Sequence, residues 1–276
     1  MADSHDPATG AKIRSELLER VLVGLPALGA ALALVAVGGA TFAVALALLG
    51  MVCLYELYHL YADAGPAWPA GFAALLGVLA AAQWGTQEQV LLVAVAALPL
   101  SFVVALLMGR GHTPAIALTL LGVWWIALAL AYAVLLRRLP HGGGIVLDVL
   151  LGTFVGDSAA YLGGRAIGRH KLAPRISPNK TVEGLVLGLA FAVLAVFVAS
   201  RFQHNWLHPW DALALGAGVA LAAPLGDLFE SFVKRDAGAK DTGRLFGAHG
   251  GALDRLDAVL FAAVTGFYIW HAILVG

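Results

Sequence analysis

Charged residues cluster in one segment of the chain, Ser231 to Asp257, between two strongly apolar stretches. The ionisable residues of this segment are Lys234, Arg235, Asp236, Lys240, Asp241, Arg244, His249, Asp254, Arg255 and Asp257. The whole chain is 61% hydrophobic and only 12% charged. Charges at a bilayer boundary are costly unless they are paired, solvated or bound to an ion. The segment therefore predicts a site where a metal ion and a phosphate-bearing substrate stabilise these charges.

A helical face with acidic, hydroxyl and basic groups leads into this segment. Its members are Asp227, Glu230, Ser231 and Lys234. Their spacing of i, i+3, i+4 and i+7 brings them to one side of a helix. A structural polar stripe that pairs with another helix would show the same spacing. Inside a membrane, the cost of buried charge favours a functional role.

Two acids mark the start of the last predicted helix. Asp254 and Asp257 lie in its first turn, where the helix dipole favours negative charge, so they could simply cap the helix. The alternative interpretation is a phosphate site that includes the adjacent glycines. Because glycine has no side chain, its backbone N–H group can approach a phosphate closely. The glycines are Gly247, Gly250 and Gly251. On this interpretation, Asp227 and Asp254 meet across adjacent helices as oxygen ligands for Mg²⁺.

The loop from Asp157 to Gly184 is strongly basic. Its cations are Arg165, Arg169, Lys171, Arg175 and Lys180. Such a loop could merely attract anionic lipid head groups. However, the hydroxyls of Ser177 and Thr181 directly precede a predicted helix, and helix N-termini bind phosphate well. Lysine and arginine side chains also suit a triphosphate.

Several other chemistries are excluded by missing motifs. The chain has no Walker A motif, no H-E-x-x-H zinc motif and no G-x-S-x-G elbow. Its single cysteine, Cys53, excludes an internal disulfide and a cysteine-based zinc site. With 17 basic and 17 acidic residues, the bulk charge argues for no nucleic-acid partner. Carboxylates, cations, hydroxyls and glycine loops remain, which favour metal-assisted phosphoryl or nucleotidyl transfer.

Hydropathy predicts an all-α, polytopic membrane protein with about nine transmembrane helices. The predicted spans are 21–37, 39–60, 67–83, 89–108, 114–136, 144–164, 181–200, 211–233 and 254–275. Gly38-Gly39 could form a tight hairpin or a kink in one long helix. We expect the polar first 20 residues to be a short leader rather than a cleavable signal peptide.

The distribution of Lys and Arg predicts the orientation of the spans. With the N-terminus inside, all but three of the 17 basic residues face the cytoplasm. The exceptions are Arg137, Arg138 and Arg201. Both large polar loops then lie on the cytoplasmic face, at the membrane interface, where we expect the active site.

We expect one membrane domain, 1–276, with two parts of different character. Residues 1–140 form a helical scaffold whose spans hold almost no ionisable groups apart from Glu56 and His59. Residues 141–276 form the catalytic half. Acidic residues enter its helices at Asp148, Asp157, Asp227 and Glu230.

The final polar segment resembles the signature of the phosphatidate cytidylyltransferases, also called CDP-diacylglycerol synthases. The matching residues are Ser231, Lys234, Arg235, Lys240, Asp241, Gly243, Phe246, Gly247, His249, Gly250, Gly251, Asp254, Arg255, Leu256 and Asp257. Ala252 departs, because a larger aliphatic residue or Phe is usual there, and Gly247-Ala248 replaces the common Pro-Gly. We expect both changes to alter loop stiffness rather than chemistry. The block from Asp157 to Gly184 is also similar to the family's second conserved block.

The resemblance implies a polytopic bacterial inner-membrane enzyme, usually a homodimer, that makes CDP-diacylglycerol and pyrophosphate from CTP and phosphatidate. It also implies Mg²⁺, held by Asp227 and Asp254, with K⁺ as a possible neighbour. The expected catalytic residues are Asp227, Asp254, Lys234, Arg235, Lys240, Asp241, His249 and Asp257. The expected substrate contacts are Asp157, Arg165, Lys171, Ser177, Lys180, Thr181, Glu183, Ser231, Gly250, Gly251 and Arg255.

Other functions remain as alternatives at this point. A sister transferase that loads CTP onto another lipid phosphate, or a CTP-dependent polyprenol kinase, would need similar groups. A secondary transporter for an anionic solute would place acids and bases along a pathway, but inverted repeats typical of transporters are not visible. A purely structural membrane protein would not need paired acids beside a glycine loop.

Overall fold

The computed structural model describes residues 29–109, 111–243 and 250–276. Its helices are α1 (29–37), α2 (Gly39–Leu60), α3 (Trp68–Trp84), α4 (Gln87–Leu107), α5 (Thr113–Gly122), α6 (Leu128–Arg138), α7 (Gly142–Ile167), α8 (Val182–Ser200), α9 (Pro209–Asp236) and α10 (Leu253–Val275). Two short strands, β1 (Lys171–Ala173) and β2 (Ser177–Thr181), lie between α7 and α8. His249, which was expected in the catalytic group, lies outside the described residues.

The all-α, polytopic class is confirmed by the helices. Seven described helical segments are long and apolar enough to cross a membrane. One of them, Thr113–Arg138, joins α5 to α6 through a π-helical turn at residues 123–127. Helix α3 is apolar but shorter, with 17 residues. The count of nine spans stays a prediction, because residues 21–28 of the first span lie outside the described part of the chain.

The pair Gly38-Gly39 separates α1 from α2. Both glycines have positive φ, 65° and 57°, a conformation that residues with a side chain adopt only at a cost. A Cβ at Gly38 would also collide with the guanidinium group of Arg137. The two glycines therefore interrupt the helix at the predicted position.

Small residues bring the helices of the C-terminal half into close contact. A Cβ at Gly184 or Gly188 of α8 would collide with a backbone carbonyl of α7. A Cβ at Gly226 of α9 would collide with the carbonyl of Asp257 in α10. Small residues at helix crossings allow the close backbone approach that stabilises membrane helix pairs. Gly226 thus sets α9 against α10 beside the acids of both helices.

The basic loop after α7 contains a small antiparallel hairpin. Lys171 pairs with Thr181, and Ala173 pairs with Ser177. The sequence analysis treated this segment as a loop, and its Pro, Asn and Arg content gives little strand propensity. Pairing between the two short strands supplies backbone hydrogen bonds that a loop would otherwise leave to solvent. The hairpin holds the basic residues of the loop in defined positions.

The two ends of the helical bundle differ in chemistry. At one end, the guanidinium groups of Arg137 and Arg138 donate to backbone carbonyls at the ends of α1 and α3, among them Val35 at 2.7 Å and Gly85 at 3.0 Å. At the other end, α2 and α9 finish and α10 begins. We call this the signature end. The Tyr61 hydroxyl after α2 donates there to the carbonyl of Val233 in α9, at 2.9 Å.

Candidate active site

A buried lysine joins α9 to α10 at the signature end. The Lys234 ammonium nitrogen lies 2.6 Å from Glu230 Oε2, one helical turn earlier, and 2.8 Å from Asp254 Oδ1 in α10. The side chains of Glu230 and Lys234 are only 1% and 13% exposed. Glu230 and Lys234 therefore share one face of α9, as their i, i+4 spacing predicts. Together with Asp254 of α10 they form an ion cluster of three residues on two helices.

The carboxylate of Asp254 is surrounded by protein donors. Its Oδ2 accepts hydrogen bonds from the Gly251 N–H at 2.7 Å and the Thr242 hydroxyl at 3.1 Å. The Thr242 N–H also donates to Oδ2, at 3.1 Å. With Lys234 on Oδ1, both oxygens are engaged within the protein. Asp254 therefore organises the segment before α10 in addition to beginning that helix.

A second group of acids contains Asp227 from α9. The Lys180 ammonium nitrogen, at the end of the hairpin, lies 2.5 Å from Asp227 Oδ2. The Ser231 hydroxyl donates to Asp227 Oδ1 at 3.4 Å. The charge of Asp227 acts on both Asp157 in α7 and Asp257 in α10. Carboxylates from three helices thus converge near one hairpin lysine.

Asp227 and Asp254, which were expected to share a metal ion, have different contacts in the described residues. Asp227 contacts Lys180 and Ser231, whereas Asp254 contacts Lys234, Thr242 and Gly251. Within the described residues, no three His, Cys, Asp or Glu side chains stand in a geometry that could hold a metal. A metal ion shared by Asp227 and Asp254 stays a prediction.

The hairpin is fixed to both α8 and α9. The Thr181 hydroxyl accepts the Gly184 N–H at 3.1 Å, so this residue caps α8. Arg235 donates to the carbonyl of Ile176 in the hairpin turn, at 3.3 Å. Together with the contact between Lys180 and Asp227, these bonds hold the basic segment against α9. Arg165, Lys171 and Arg175 project to the exposed surface of this region.

The carboxylate of Glu183 contacts the residues at the start of the hairpin. It accepts the Arg169 N–H at 3.0 Å and the His170 N–H at 3.2 Å. It also lies 2.6 Å from Nδ1 of His170. Glu183 therefore closes the start of the hairpin, and its expected role in substrate binding stays a prediction without a supporting contact. His170, its partner, was not among the residues selected from the sequence.

An open pocket of about 650 Å³ adjoins the ion cluster. One wall is the last part of α2, and the other is the segment 240–243. The exposed residues Lys240 and Asp241, both expected in the catalytic group, line it. On the α2 side, the rings of Tyr55 and His59 stack with centroids 5.7 Å apart. The pocket therefore places a cation and aromatic rings next to the cluster.

The glycines near residue 250 serve the protein's own contacts. Gly250 has a φ of 80°, which disfavours any residue with a side chain. The N–H of Gly251 is donated to Asp254, so it is not directed at an open phosphate site. A Cβ at Gly251 would collide with the side chains of Glu56 and Thr242. Close packing within the protein thus accounts for both glycines.

Glu56 and Thr242 also belong to the site, although the sequence motifs did not indicate them. Glu56 accepts the N–H groups of Ala252 and Leu253, each at 2.9 Å. The Thr242 hydroxyl lies 3.3 Å from Glu56 Oε2. The only signal for Glu56 in the sequence is a carboxylate near the end of an apolar span. Thr242 occupies a variable position of the signature, so no pattern marks it.

Comparisons with known proteins agree with the motif. Residues 18–273 match the sequence model of the cytidylyltransferase family. A protein of Staphylococcus haemolyticus named phosphatidate cytidylyltransferase is 33% identical over 248 residues, 88% of this chain and 94% of the relative. Proteins of the same name from Mycobacterium leprae and Haemophilus influenzae are 40% and 37% identical over 143 and 138 residues. In those two alignments, the chain spans about half the length of the relative, 46% and 48%.

Replacement of Lys234 by methionine tests the ion cluster. Lys234→Met keeps the length of the side chain but leaves Glu230 and Asp254 buried without their shared cation. Removal of one member of a buried ion pair costs about 3–5 kcal/mol, and we expect a loss of that size in the free energy of unfolding. Denaturation of the purified protein in detergent micelles measures it.

The matched control is Lys240→Met, which makes the same change at an exposed lysine. Surface substitutions usually change stability by about 0.5 kcal/mol or less. Equal effects of the two variants would show that the buried cluster contributes nothing special to stability.

Proposed function

Because the chain belongs to the cytidylyltransferase family, we propose that it transfers the cytidylyl group of CTP to phosphatidate. The products are CDP-diacylglycerol and pyrophosphate. The relative from S. haemolyticus, which aligns over 94% of its length, carries the name of this activity. The observation that supports it most directly is the convergence of Lys180, Lys234 and Arg235 with the acids of the signature at one end of the bundle.

The proposed reaction is an in-line displacement at the α-phosphorus of CTP. A phosphate oxygen of phosphatidate forms the new P–O bond, and the bond to the β-phosphate breaks, so pyrophosphate leaves. The attacking phosphate is already an anion near neutral pH, so no strong general base is needed. The main barrier that the protein must lower is the repulsion between two polyanions, which fixed cations reduce most effectively. Lys180, Lys234 and Lys240 are the cations that we propose for this role.

Mg²⁺ is the metal that we propose for this site. The family resemblance assigns it to Asp227 and Asp254, and carboxylate oxygens are the ligands that Mg²⁺ prefers. Asp227 is the ligand that we propose first, because fewer protein donors of the described residues contact its carboxylate than contact that of Asp254. The bound ion would neutralise charge on the phosphates. The expected role of Asp254 as a ligand, and K⁺ at an adjacent site, stay predictions.

We place the active site at the cytoplasmic interface of the bacterial inner membrane. The distribution of basic residues supports this orientation, because basic residues are more frequent in cytoplasmic loops. The hairpin and segment 234–243, which carry many of them, share the signature end. Arg137, Arg138 and Arg201 lie at helix ends away from it. In this orientation, CTP arrives from the cytosol while the acyl chains stay in lipid. The homodimer implied by the resemblance and the full count of nine spans stay predictions.

Transfer of label from cytidine-labelled CTP into extractable lipid tests the reaction. With phosphatidate and Mg²⁺, we expect the purified wild-type protein to produce labelled lipid, and EDTA to abolish this. Asp227→Asn should lower turnover by about 100-fold or more, because it removes a charge from the group that faces the phosphates. Asp211→Asn, the same change in the first turn of α9, should retain activity.

Three outcomes would revise the assignment. Label in lipid only with a different lipid phosphate would identify a sister transferase. Transfer of the γ-phosphate, with CDP released, would identify a kinase. An Asp227→Asn enzyme as active as Asp211→Asn would remove Asp227 from the site.

Binding of Mn²⁺, used as a paramagnetic substitute for Mg²⁺, separates the two acids without measuring turnover. We expect Asp227→Asn to weaken Mn²⁺ binding by about tenfold or more, because a ligand is lost. Asp254→Asn should weaken it less, since protein donors already occupy its oxygens. Electron paramagnetic resonance of the protein with Mn²⁺ measures both. Equal losses would support Asp227 and Asp254 as two ligands of the same ion.

Orientation can be tested with single cysteines, because native Cys53 is fully buried. We expect a membrane-impermeant maleimide to label Arg201→Cys in intact spheroplasts and Lys240→Cys only in inverted vesicles. Both positions are exposed, and the parent protein serves as the unlabelled control. The reverse pattern would place the signature end outside the cell.

A further inference from the structure

Glu56 is a buried carboxylate in an otherwise apolar helix of the N-terminal half. It lies near the end of α2, and the residue is only 5% exposed. Its hydrogen-bond partners among the described residues are Thr242, Ala252 and Leu253 of the catalytic half, between 186 and 197 residues further along the chain. A carboxylate is expensive to bury unless donors satisfy it, so this arrangement requires those donors.

The main donors are the first amides of α10. The N–H groups at a helix start have no acceptor within the helix. Ala252 occupies the cap position, and its methyl side chain cannot accept a hydrogen bond from them. Glu56 Oε1 accepts from Ala252 and Oε2 accepts from Leu253, each at 2.9 Å. Negative charge at this end of the helix also interacts favourably with its dipole. Glu56 thus caps α10 from another helix.

The same carboxylate reaches the segment before α10. Its Oε2 lies 3.3 Å from the Thr242 hydroxyl, which lies 3.1 Å from Asp254 Oδ2. Thr242 is therefore held between two carboxylates, and Asp254 in turn holds Lys234. Gly243 and Gly251 leave the necessary space, because a Cβ at either position would collide with Glu56.

Helix α2 also fixes the other end of the connection from α9 to α10. The Tyr61 hydroxyl, just after α2, lies 2.9 Å from the carbonyl of Val233 and 2.9 Å from the carboxylate of Asp236. Burial and the hydrogen bond to Asp236 raise the pKa of Tyr61 to about 12, so it remains a donor at neutral pH. Glu56 and Tyr61 therefore hold the two flanks of the signature segment.

We propose that Glu56 is a positioning residue of the transferase: it fixes Thr242 and the start of α10 so that Asp254 holds Lys234 towards the phosphates. This inference rests on the proposed function. In this proposal, Glu56 acts through the Thr242–Asp254–Lys234 chain and not through a contact with the reacting atoms. We expect replacement of Glu56 to lower the rate of the chemical step. An incorrectly placed cation stabilises the transition state less well, while binding of the substrates is largely retained.

The test compares Glu56→Gln with Glu88→Gln. Glutamine at 56 keeps the size of the side chain but turns an NH₂ group towards N–H donors. Because hydrogen bonds to a charged group contribute more than neutral ones, we expect kcat per folded protein to fall about 10- to 100-fold. The KM values for CTP and phosphatidate should stay within about threefold. Glu88 lies in the exposed first turn of α4, and its glutamine variant should match the wild type.

Amide hydrogen exchange supplies a readout that is independent of activity. Peptides covering residues 250–258 should exchange faster in Glu56→Gln, because the Ala252 and Leu253 amides lose their acceptor, and should be unchanged in Glu88→Gln. Faster exchange together with a lower kcat would support the proposal. Faster exchange with a normal kcat would overturn it, and so would unchanged exchange. A lower yield of folded protein, with a normal kcat per folded protein, would also overturn it.

Failure of the proposed function would be recognised separately. A wild-type protein that transfers no cytidylyl group to any lipid phosphate would overturn the transferase assignment and, with it, the catalytic role of Glu56. The exchange measurement would still decide whether Glu56 caps α10.

Discussion

The ion cluster of Lys234 with Glu230 and Asp254 is the interaction on which the signature end depends. Three charges lie almost buried where two membrane helices meet, and each would be unfavourable there alone. Their mutual contacts, at 2.6 and 2.8 Å, join α9 to α10 and orient Asp254. The hydrogen bonds of Asp254 then order the segment that leads into α10. Removal of Lys234 would break the ionic contact between the end of α9 and the start of α10.

The location of the site follows from the same cost of buried charge. Asp148 and Asp157 lie on the same helix, about 14 Å apart at 1.5 Å per residue. Asp148 is buried towards the opposite end and is bonded to Gln203 at 3.1 Å, whereas Asp157 joins the group of Asp227. A triphosphate and several cations can be accommodated only where water reaches them. Helix ends provide this, together with backbone N–H groups and dipoles that interact with anions.

Hydropathy alone was sufficient to predict the helices, because the bilayer imposes a length on every span. With α5 and α6 taken as the one span Thr113–Arg138, the bounds of α2 to α10 depart from the predicted spans by three residues at most. Local spacing also predicted the shared face of Glu230 and Lys234. The partners that come from distant helices were not predictable, because no pattern joins Glu56 to residues 196 and 197 positions away. The different partners of Asp227 and Asp254 have the same origin, since the spacing of residues does not define how two helices are rotated against each other.

The division into a scaffold and a catalytic half needs a physical qualification. The N-terminal half carries few ionisable groups in its spans, but one of them, Glu56, binds the start of α10. A helix whose first amides are held by a neighbouring helix cannot shift or rotate independently of it. The position of the signature acids is therefore set partly by the packing of α2. Since that packing depends on apolar contacts throughout the N-terminal half, the scaffold affects the geometry of the site through Glu56 at the start of α10 and through Tyr61 at the end of α9.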